Sequence, residues 1–184
     1  MHAVLLLFPI TPETEQRKAE QEARIAAEGQ DVSPRVWFTR QTVGNACGTV
    51  GLLHACLNSC EALALAPGSW LARFVEKTAA LEPAQRAAAL EADSELDSAH
   101  ASAASAGQTV APSTDEVNLH FICFVAVEGG LYELDGRKPV PVRHGLSSAE
   151  TLLQDAAAVI KRQFVDCSEA LTFNMVALAP AAED

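Results

Sequence analysis

The chain opens with a continuous apolar run from Ala3 to Ile10. A short unbroken run of this kind is typical of a fully buried strand. Thr11 and Pro12 then supply a helix N-cap and a proline at the first helical position, and the charged segment after them continues to Ala27, just before Gly29. The pattern predicts a buried strand followed by a helix with a solvated face.

A second strand and a helix are predicted to meet at Gly44 and Asn45. The segment from Val36 to Thr42 contains β-branched and aromatic residues, which favours a strand, and Cys47 to Leu57 has apolar residues at helical spacing. We therefore expect the strand to turn directly into a helix, with Cys47 where the helix begins.

The middle of the chain is rich in alanine. Helical patterns cover Ser69 to Ala80 and Pro83 to about Leu96, the second opened by its proline. Residues 97–117 then contain mostly Ala, Ser, Asp, Glu and Gly, which bury little. Loops of this length in a compact domain are usually lids, binding loops or disordered segments, so we predict a long, mobile loop.

The second half of the chain contains a predicted hairpin. Leu119 to Val127 is almost wholly apolar, residues 128–130 read Glu-Gly-Gly, and Leu131 to Leu134 follows as a second predicted strand. Two such runs around a glycine turn are typical of paired antiparallel strands. The turn fixes which residues of the two strands face each other.

One helix and one strand are predicted after the hairpin. Ser147 with Glu150 three residues later matches a capping box, and the helix it opens runs to about Val165. Leu171 to Leu178 predicts a final strand. At 184 residues the chain has the size of a single domain, so we take residues 1–184 as one unit.

Charge and cysteine content narrow the classes of function. The formal net charge is −11, which disfavours nucleic-acid binding and suits a basic partner. Five cysteines without regular spacing argue against a secreted disulfide framework and for a reducing compartment, the cytoplasm. No stretch approaches the roughly 20 apolar residues needed to cross a bilayer, so we expect a soluble protein that does not bind membranes.

Cys47 is the candidate nucleophile. A helix N-terminus lowers a thiol pKa through its unpaired N–H groups, and Gly48 directly after it lets a substrate backbone approach closely. Gln41, six residues upstream, can return its side-chain amide toward the Cys47 N–H, which gives two donors for an oxyanion. The alternative interpretation is a buried structural cysteine and a surface glutamine.

The candidate base is one of five histidines. His120 stands at the head of the hairpin, and the return strand ends in Asp135. If Glu128 and Gly129 form the loop, Asp135 lies opposite Ile122 and diagonal to His120, roughly 7 to 8 Å apart on one face. If the loop is Gly129 and Gly130, Asp135 lies too far down the ladder. An unrelated His and Asp remain the alternative.

Metal binding is the competing chemistry for the cysteines. The candidate ligands are Cys47, His54, Cys56 and Cys60. Cys56 and Cys60 share a helical face, but the other two do not converge with them and there is no Cys-x-x-Cys pair, so we expect no zinc site. No glycine-rich phosphate motif is present. His54 is expected to be a packing residue.

Four stretches carry a wider resemblance. They are Ala3-Val-Leu-Leu-Leu-Phe-Pro-Ile-Thr11, Gln41-Thr-Val-Gly-Asn-Ala-Cys-Gly-Thr49, Asn118-Leu-His-Phe121 and Leu131-Tyr-Glu-Leu-Asp-Gly-Arg-Lys-Pro139. In them the chain resembles the ubiquitin carboxyl-terminal hydrolase family (peptidase C12 type), and within it the small L-type isozymes. The similarity extends nearly end to end.

The resemblance implies a fold and a set of roles. The fold is α+β and papain-like, with a central, mainly antiparallel sheet flanked by helices, and residues 97–117 correspond to the family's crossover loop over the active site. By position, Cys47 corresponds to the nucleophile, His120 to the general base, Asp135 to its orienting acid and Gln41 to the oxyanion donor. No cofactor or metal is implied.

The implied function is that of a cysteine-type deubiquitinase. It cleaves the bond after the C-terminal glycine of ubiquitin, releasing small adducts or short peptides, and acts as a monomer on ubiquitin or a related ubiquitin-like modifier. Family members carry a few dozen residues before the strand that here begins beside Met1. A catalytically weak ubiquitin-binding fragment is therefore one alternative, and a general papain-like amidase is another.

Overall fold

A sheet of five antiparallel strands runs through the structure, a computed structural model that describes residues 1–106, 118–169 and 172–181. The strands are β1 Ala3–Pro9, β2 Leu119–Val127, β3 Gly130–Leu134, β4 Val142–Leu146 and β5 Asn174–Leu178, in the spatial order β4-β3-β2-β1-β5. The helices are α1 Pro12–Glu28, α2 Cys47–Leu57, α3 Cys60–Leu63, α4 Trp70–Thr78, α5 Pro83–Glu91, α6 Ser94–Ala106 and α7 Leu152–Ile160, which continues as a π-helical turn, Lys161–Val165.

The sheet is covered on both faces, which explains the unbroken apolar run in β1. Val4 and Leu6 belong to a core cluster shared with Leu152 of α7. Ala3 and Leu5 belong to a second cluster on the other face, shared with Ala55 of α2. Successive side chains of a strand point to opposite faces, so β1 needs apolar residues at every position. The predicted fold class, α+β with a central antiparallel sheet flanked by helices, is confirmed.

Most predicted helices form where the pattern indicated. Thr11 caps α1 with its side chain, and Gly29 ends the helix at a positive φ of 72°. The helix from Cys47 to Leu57 is found as predicted, and Ser69 caps α4. The helix predicted from Pro83 is broken into α5 and α6. No helix within the described ranges is long and apolar enough to cross a membrane.

The strand predicted from Val36 to Thr42 is wrong. This segment joins no ladder. Its backbone is bonded instead by the side chains of His54 in α2 and of Asn58, the residue that caps the C-terminal end of α2. Asn58 accepts from the Trp37 N–H and donates to the Trp37 carbonyl, both at 2.8 Å. The Thr39 N–H donates to His54 Nε2 at 3.2 Å. These bonds fix the segment that leads to Gln41 against α2.

The structure differs from the prediction in α6, in β4 and at the start of α7. Residues 97–106 continue α6, while 107–117 of the predicted loop lie outside the described residues, as does Leu171 of the predicted last strand. β4 was not predicted. The helix expected from Ser147 begins at Leu152, because the reciprocal capping bonds join Ser148 and Thr151 rather than Ser147 and Glu150.

Candidate active site

The β2–β3 hairpin sets the register of His120 and Asp135. Val127 pairs with Gly130, so Glu128 and Gly129 form the two-residue turn, with positive φ angles of 46° and 76°. Such angles are those of the turn that suits the twist of a tight hairpin. The ladder pairs Cys123 with Leu134, which places Asp135 opposite residue 122. The Glu128–Gly129 turn is therefore confirmed, and the Gly129–Gly130 alternative is wrong.

His120 and Asp135 are in direct contact. His120 Nε2 lies 2.7 Å from Asp135 Oδ1, and both residues are only 3% exposed. The same oxygen accepts the Arg137 N–H at 2.8 Å. The Phe8 ring and the imidazole pack nearly at right angles, with ring centroids 5.7 Å apart. The carboxylate is thus held by two donors, and the imidazole is held at one nitrogen and by one aromatic contact.

Cys47 completes the arrangement. It is the first residue of α2, is half-buried, and lies close enough to His120 for each group to shift the pKa of the other. Burial raises the pKa of the Cys47 thiol, but the hydrogen bond to His120, the backbone N–H of Phe121, the charge of His120 and the N–H of Gly48 outweigh it, so the pKa is lowered. A lowered thiol pKa is what a nucleophilic cysteine needs.

Asp135 and Cys47 together favour the charged form of His120. Burial lowers the pKa of the imidazole, but the hydrogen bonds to Asp135 and Cys47, with their charges, raise it overall. Burial raises the pKa of the Asp135 carboxyl, but the hydrogen bond and charge of His120 bring it below its usual range. The three groups therefore form one chain of interacting residues that favours a thiolate, an imidazolium and a carboxylate.

Gln41 is held close to this chain through its backbone. Its N–H donates to the Gly136 carbonyl at 2.8 Å. A Cβ at Gly136 would lie 2.9 Å from the Gln41 Cβ, so glycine permits this approach. The side-chain amide nitrogen donates to the Val43 carbonyl at 3.1 Å, and Gln41 Oε1 is buried without a hydrogen-bond partner among the described residues. The oxyanion role of Gln41 stays a prediction.

The other candidate ligands have structural partners. His54 is fully buried, stacks on Phe38 and bonds to Thr39, as expected of a packing residue. Cys60 Sγ donates to the Cys56 carbonyl. In the portions of the chain that the structure covers, no group of three or more His, Cys, Asp or Glu side chains could hold a metal ion.

A second set of charged residues was missed by the sequence analysis. Glu133 is 1% exposed and contacts both Lys138 and His144. The alternation of side chains along β3 could have indicated it, since Glu133 and Asp135 are two residues apart and share a face. An acidic residue in an otherwise apolar strand requires a buried partner.

The fold and this constellation define a class, the papain-like α+β fold with cysteine, histidine and aspartate brought together between helix and sheet. A family model described as "Ubiquitin carboxyl-terminal hydrolase, family 1" matches residues 1–165. The chain belongs to the ubiquitin carboxyl-terminal hydrolase family.

Individual relatives cover nearly the whole chain. It is 47% identical over 177 residues to ubiquitin carboxyl-terminal hydrolase 3 of Arabidopsis thaliana, covering 96% of this chain and 74% of the relative. It is 46% identical over 181 residues to ubiquitin carboxyl-terminal hydrolase isozyme L1 of Rattus norvegicus, covering 98% and 79%. The structure of the Trichinella spiralis UCH37 catalytic domain bound to ubiquitin vinyl methyl ester aligns with a TM-score of 0.67 at 25% identity, covering 95% and 75%.

Proposed function

We propose that the chain is a cysteine-type deubiquitinase that hydrolyses the amide or ester bond after the C-terminal glycine of ubiquitin. The observation that carries this proposal is the convergence of three groups, with His120 hydrogen-bonded to Asp135 and with Cys47, at the start of α2, beside His120. Its family membership supplies the substrate class, and the similar UCH37 domain was solved with a ubiquitin vinyl methyl ester.

The chain of three residues supports a two-step mechanism. The Cys47 thiolate attacks the carbonyl carbon, and when the tetrahedral intermediate collapses the imidazolium of His120 gives its proton to the leaving amine or alcohol. A thioester to Cys47 remains. His120 then takes a proton from water, which attacks the thioester and releases the ubiquitin carboxylate and the thiolate. Asp135 holds the ring and stabilises its charged form.

Donors for the oxyanion lie at the start of α2. The backbone N–H of Cys47 is at the N-terminal end of the helix, where N–H groups lack intrahelical acceptors. The Gln41 amide is the second donor in this proposal. Its present hydrogen bond to Val43 uses one of its two N–H groups, which leaves the other for the substrate.

Small adducts and short peptides are the proposed leaving groups. By the family resemblance, residues 97–117 correspond to the crossover loop; residues 97–106 of it continue α6, and in this proposal the remainder limits what can pass the active site. A Gly/Ser insertion between residues 110 and 111 should raise cleavage of ubiquitin joined to a folded protein while leaving cleavage of a ubiquitin amide of a small fluorophore unchanged. If wild type and the insertion variant showed the same preference between the two substrates, the proposed limit on leaving-group size would be contradicted.

A ubiquitin with a C-terminal electrophile tests the main proposal. Wild type should form a covalent adduct, Cys47→Ala should not, and Cys56→Ala should react like wild type. Cys56 is a matched control because it lies on the same helix and is half-buried, but burial raises its pKa. A ubiquitin-like modifier with the same electrophile measures the preference between the two.

The same experiment distinguishes the alternatives. Reversible binding of ubiquitin without an adduct would indicate a catalytically weak ubiquitin-binding fragment. Hydrolysis of small peptide amides without capture or binding of ubiquitin would indicate a general papain-like amidase. Either result overturns the proposed function.

A further inference from the structure

A buried ion pair lies directly behind Asp135. Glu133 precedes Asp135 by two residues on β3, and Lys138 follows it by three. Lys138 Nζ contacts Glu133 Oε1, and His144 Nε2 lies 2.7 Å from Glu133 Oε2. The side chains of Glu133 and Lys138 are 1% and 5% exposed. Burying such a charge pair has a large desolvation cost. A role toward the neighbouring Asp135 would explain why the pair lies here.

A backbone hydrogen bond closes the turn after β3, and side chains of β3 and α1 hold the Lys138 ammonium. The Lys138 N–H donates to the Asp135 carbonyl at 2.9 Å, and Lys138 Nζ also donates to Gln21 Oε1 on α1. Glu133, Asp135 and Lys138 line one narrow cavity whose apolar wall includes Phe8. Charges in such surroundings are screened less than charges in water.

We propose that Lys138, held by Glu133, is a positioning residue for the reaction, whose ammonium stabilises the negative charge of Asp135 and through it the charged pair of His120 and Cys47. The proposal rests on the proposed function only for its catalytic consequence. The electrostatic effect on Cys47 is a property of the folded chain alone and is measurable without ubiquitin.

Charged and titratable groups near Asp135 come from several elements. They are His120 of β2, Glu133 of β3, Arg137 and Lys138 of the following turn, Glu15, Arg17 and Lys18 of α1, and His54 of α2, with His144 of β4 in contact with Glu133. The neighbouring π-helical turn adds the uncharged Gln163.

Lys138 is the most buried lysine or arginine of this set. Arg137 is paired with Glu15 and its side chain is 27% exposed, and Lys18 is paired with Glu22 at 23% exposure. Arg17 is exposed. Burial raises the pKa of Asp135, and the contact and charge of His120, together with the charge of Lys138, lower it. The other lysines and arginines are more screened by water, so removing the Lys138 charge should have the largest effect on Asp135.

The test is the pH dependence of Cys47 alkylation by iodoacetamide, read at the Cys47 peptide by mass spectrometry. The rate follows the thiolate, so its acidic midpoint reports how easily the charged pair forms. Lys138→Met should move that midpoint to higher pH by about 0.5 unit or more, because a nearby cation is lost. Glu133→Gln should move it to lower pH, because a nearby anion is lost.

Two further variants make the experiment specific. Glu133→Gln combined with Lys138→Met removes both charges and should return the midpoint to near the wild-type value. Lys18→Met removes a cation from the same cavity and should leave the midpoint unchanged. If Lys138→Met does not fold, the comparison of Glu133→Gln with the double variant still isolates the Lys138 charge, and the double variant should have the higher midpoint.

The outcomes separate this inference from the proposed function. An unchanged midpoint in folded Lys138→Met, or shifts of the same sign in both single variants, would overturn it and indicate a merely structural ion pair. A different result is that the midpoint rises in Lys138→Met and falls in Glu133→Gln, as expected, in a protein that does not cleave ubiquitin. That result would support the ion-pair inference while overturning the proposed function.

Discussion

Replacing Asp135 by Asn removes a charge and leaves the hydrogen-bonding oxygen in place. Asp135 Oδ1 accepts from both His120 at 2.7 Å and the Arg137 N–H at 2.8 Å. In Asp135→Asn the amide oxygen is the only atom that can accept both donors, since the amide NH₂ only donates. We therefore expect the Asn to keep the orientation and tautomer of the imidazole.

The size of the effect follows from the lost charge. A hydrogen bond to a charged group contributes about 1.5–3 kcal/mol, and a neutral one about 0.5–1.5 kcal/mol. The imidazolium therefore loses about 1–2 kcal/mol of stabilisation, and at 1.36 kcal/mol per tenfold this is about a 5- to 30-fold loss of kcat/KM. The assay is cleavage of a fluorogenic ubiquitin amide, with thermal unfolding to show that the variant is folded.

Asp93→Asn is the matched control for this substitution. Asp93 Oδ1 also accepts two donors, the Trp70 indole N–H and the Leu96 N–H, both at 3.0 Å, but it lies in a helix cap. It should keep wild-type activity. A loss below twofold in Asp135→Asn would refute the role of the charge, and a loss above about a thousandfold would refute the retained tautomer, since the wrong tautomer costs about 10⁴ in a serine protease triad.

The remaining predictions concern positions around the site and in the core. Gly136→Ala should lower activity and cost about 1–3 kcal/mol in urea unfolding, because its Cβ would lie 2.9 Å from that of Gln41. Burial lowers the pKa of His54 from 6.5 to about 4. The unfolded chain therefore binds a proton at His54 that the folded chain excludes, and stability falls by about 3 kcal/mol as pH drops from about 6.5 to 4. His54→Gln should remove that dependence in unfolding curves at pH 7, 5 and 4, and an unchanged pH slope would contradict it. Leu6→Ala, at a fully buried position, should cost about 2–5 kcal/mol by thermal unfolding, and Leu146→Ala, 80% exposed, about 0.5 kcal/mol or less.

The hairpin shows what local sequence can determine about a site. The turn at Glu128 and Gly129 is two residues long, and once its length is known the side-chain period of two fixes every later pair on the ladder. The contact of His120 with Asp135 follows from that register. It was predictable because both residues belong to the same local unit.

Contacts between distant segments were not predictable in the same way. Val36 to Thr42 has the composition of a strand, but His54 of α2 and Asn58, which caps that helix, hydrogen-bond to its backbone. Nothing in the local sequence indicates this competition. Pairing of β4 with β3 depends on a bulge between Leu131 and Tyr132, which no pattern in Val142–Leu146 reveals. The composition of a segment shows which kind of neighbour it can pack against. Which neighbour it actually has is determined by the tertiary fold.

The site combines contacts within one hairpin and contacts between distant segments. Only the first kind was predictable from the sequence. His120 and Asp135 are joined by one tight turn, whereas Cys47 reaches His120 only because α2 packs across β1 and β2. In that packing Gly51 of α2 faces Leu5 of β1 and Phe121 of β2. Any change that shifts α2 on the sheet should therefore separate the thiol from an intact imidazole and carboxylate, and weaken alkylation of Cys47 before it unfolds the hairpin.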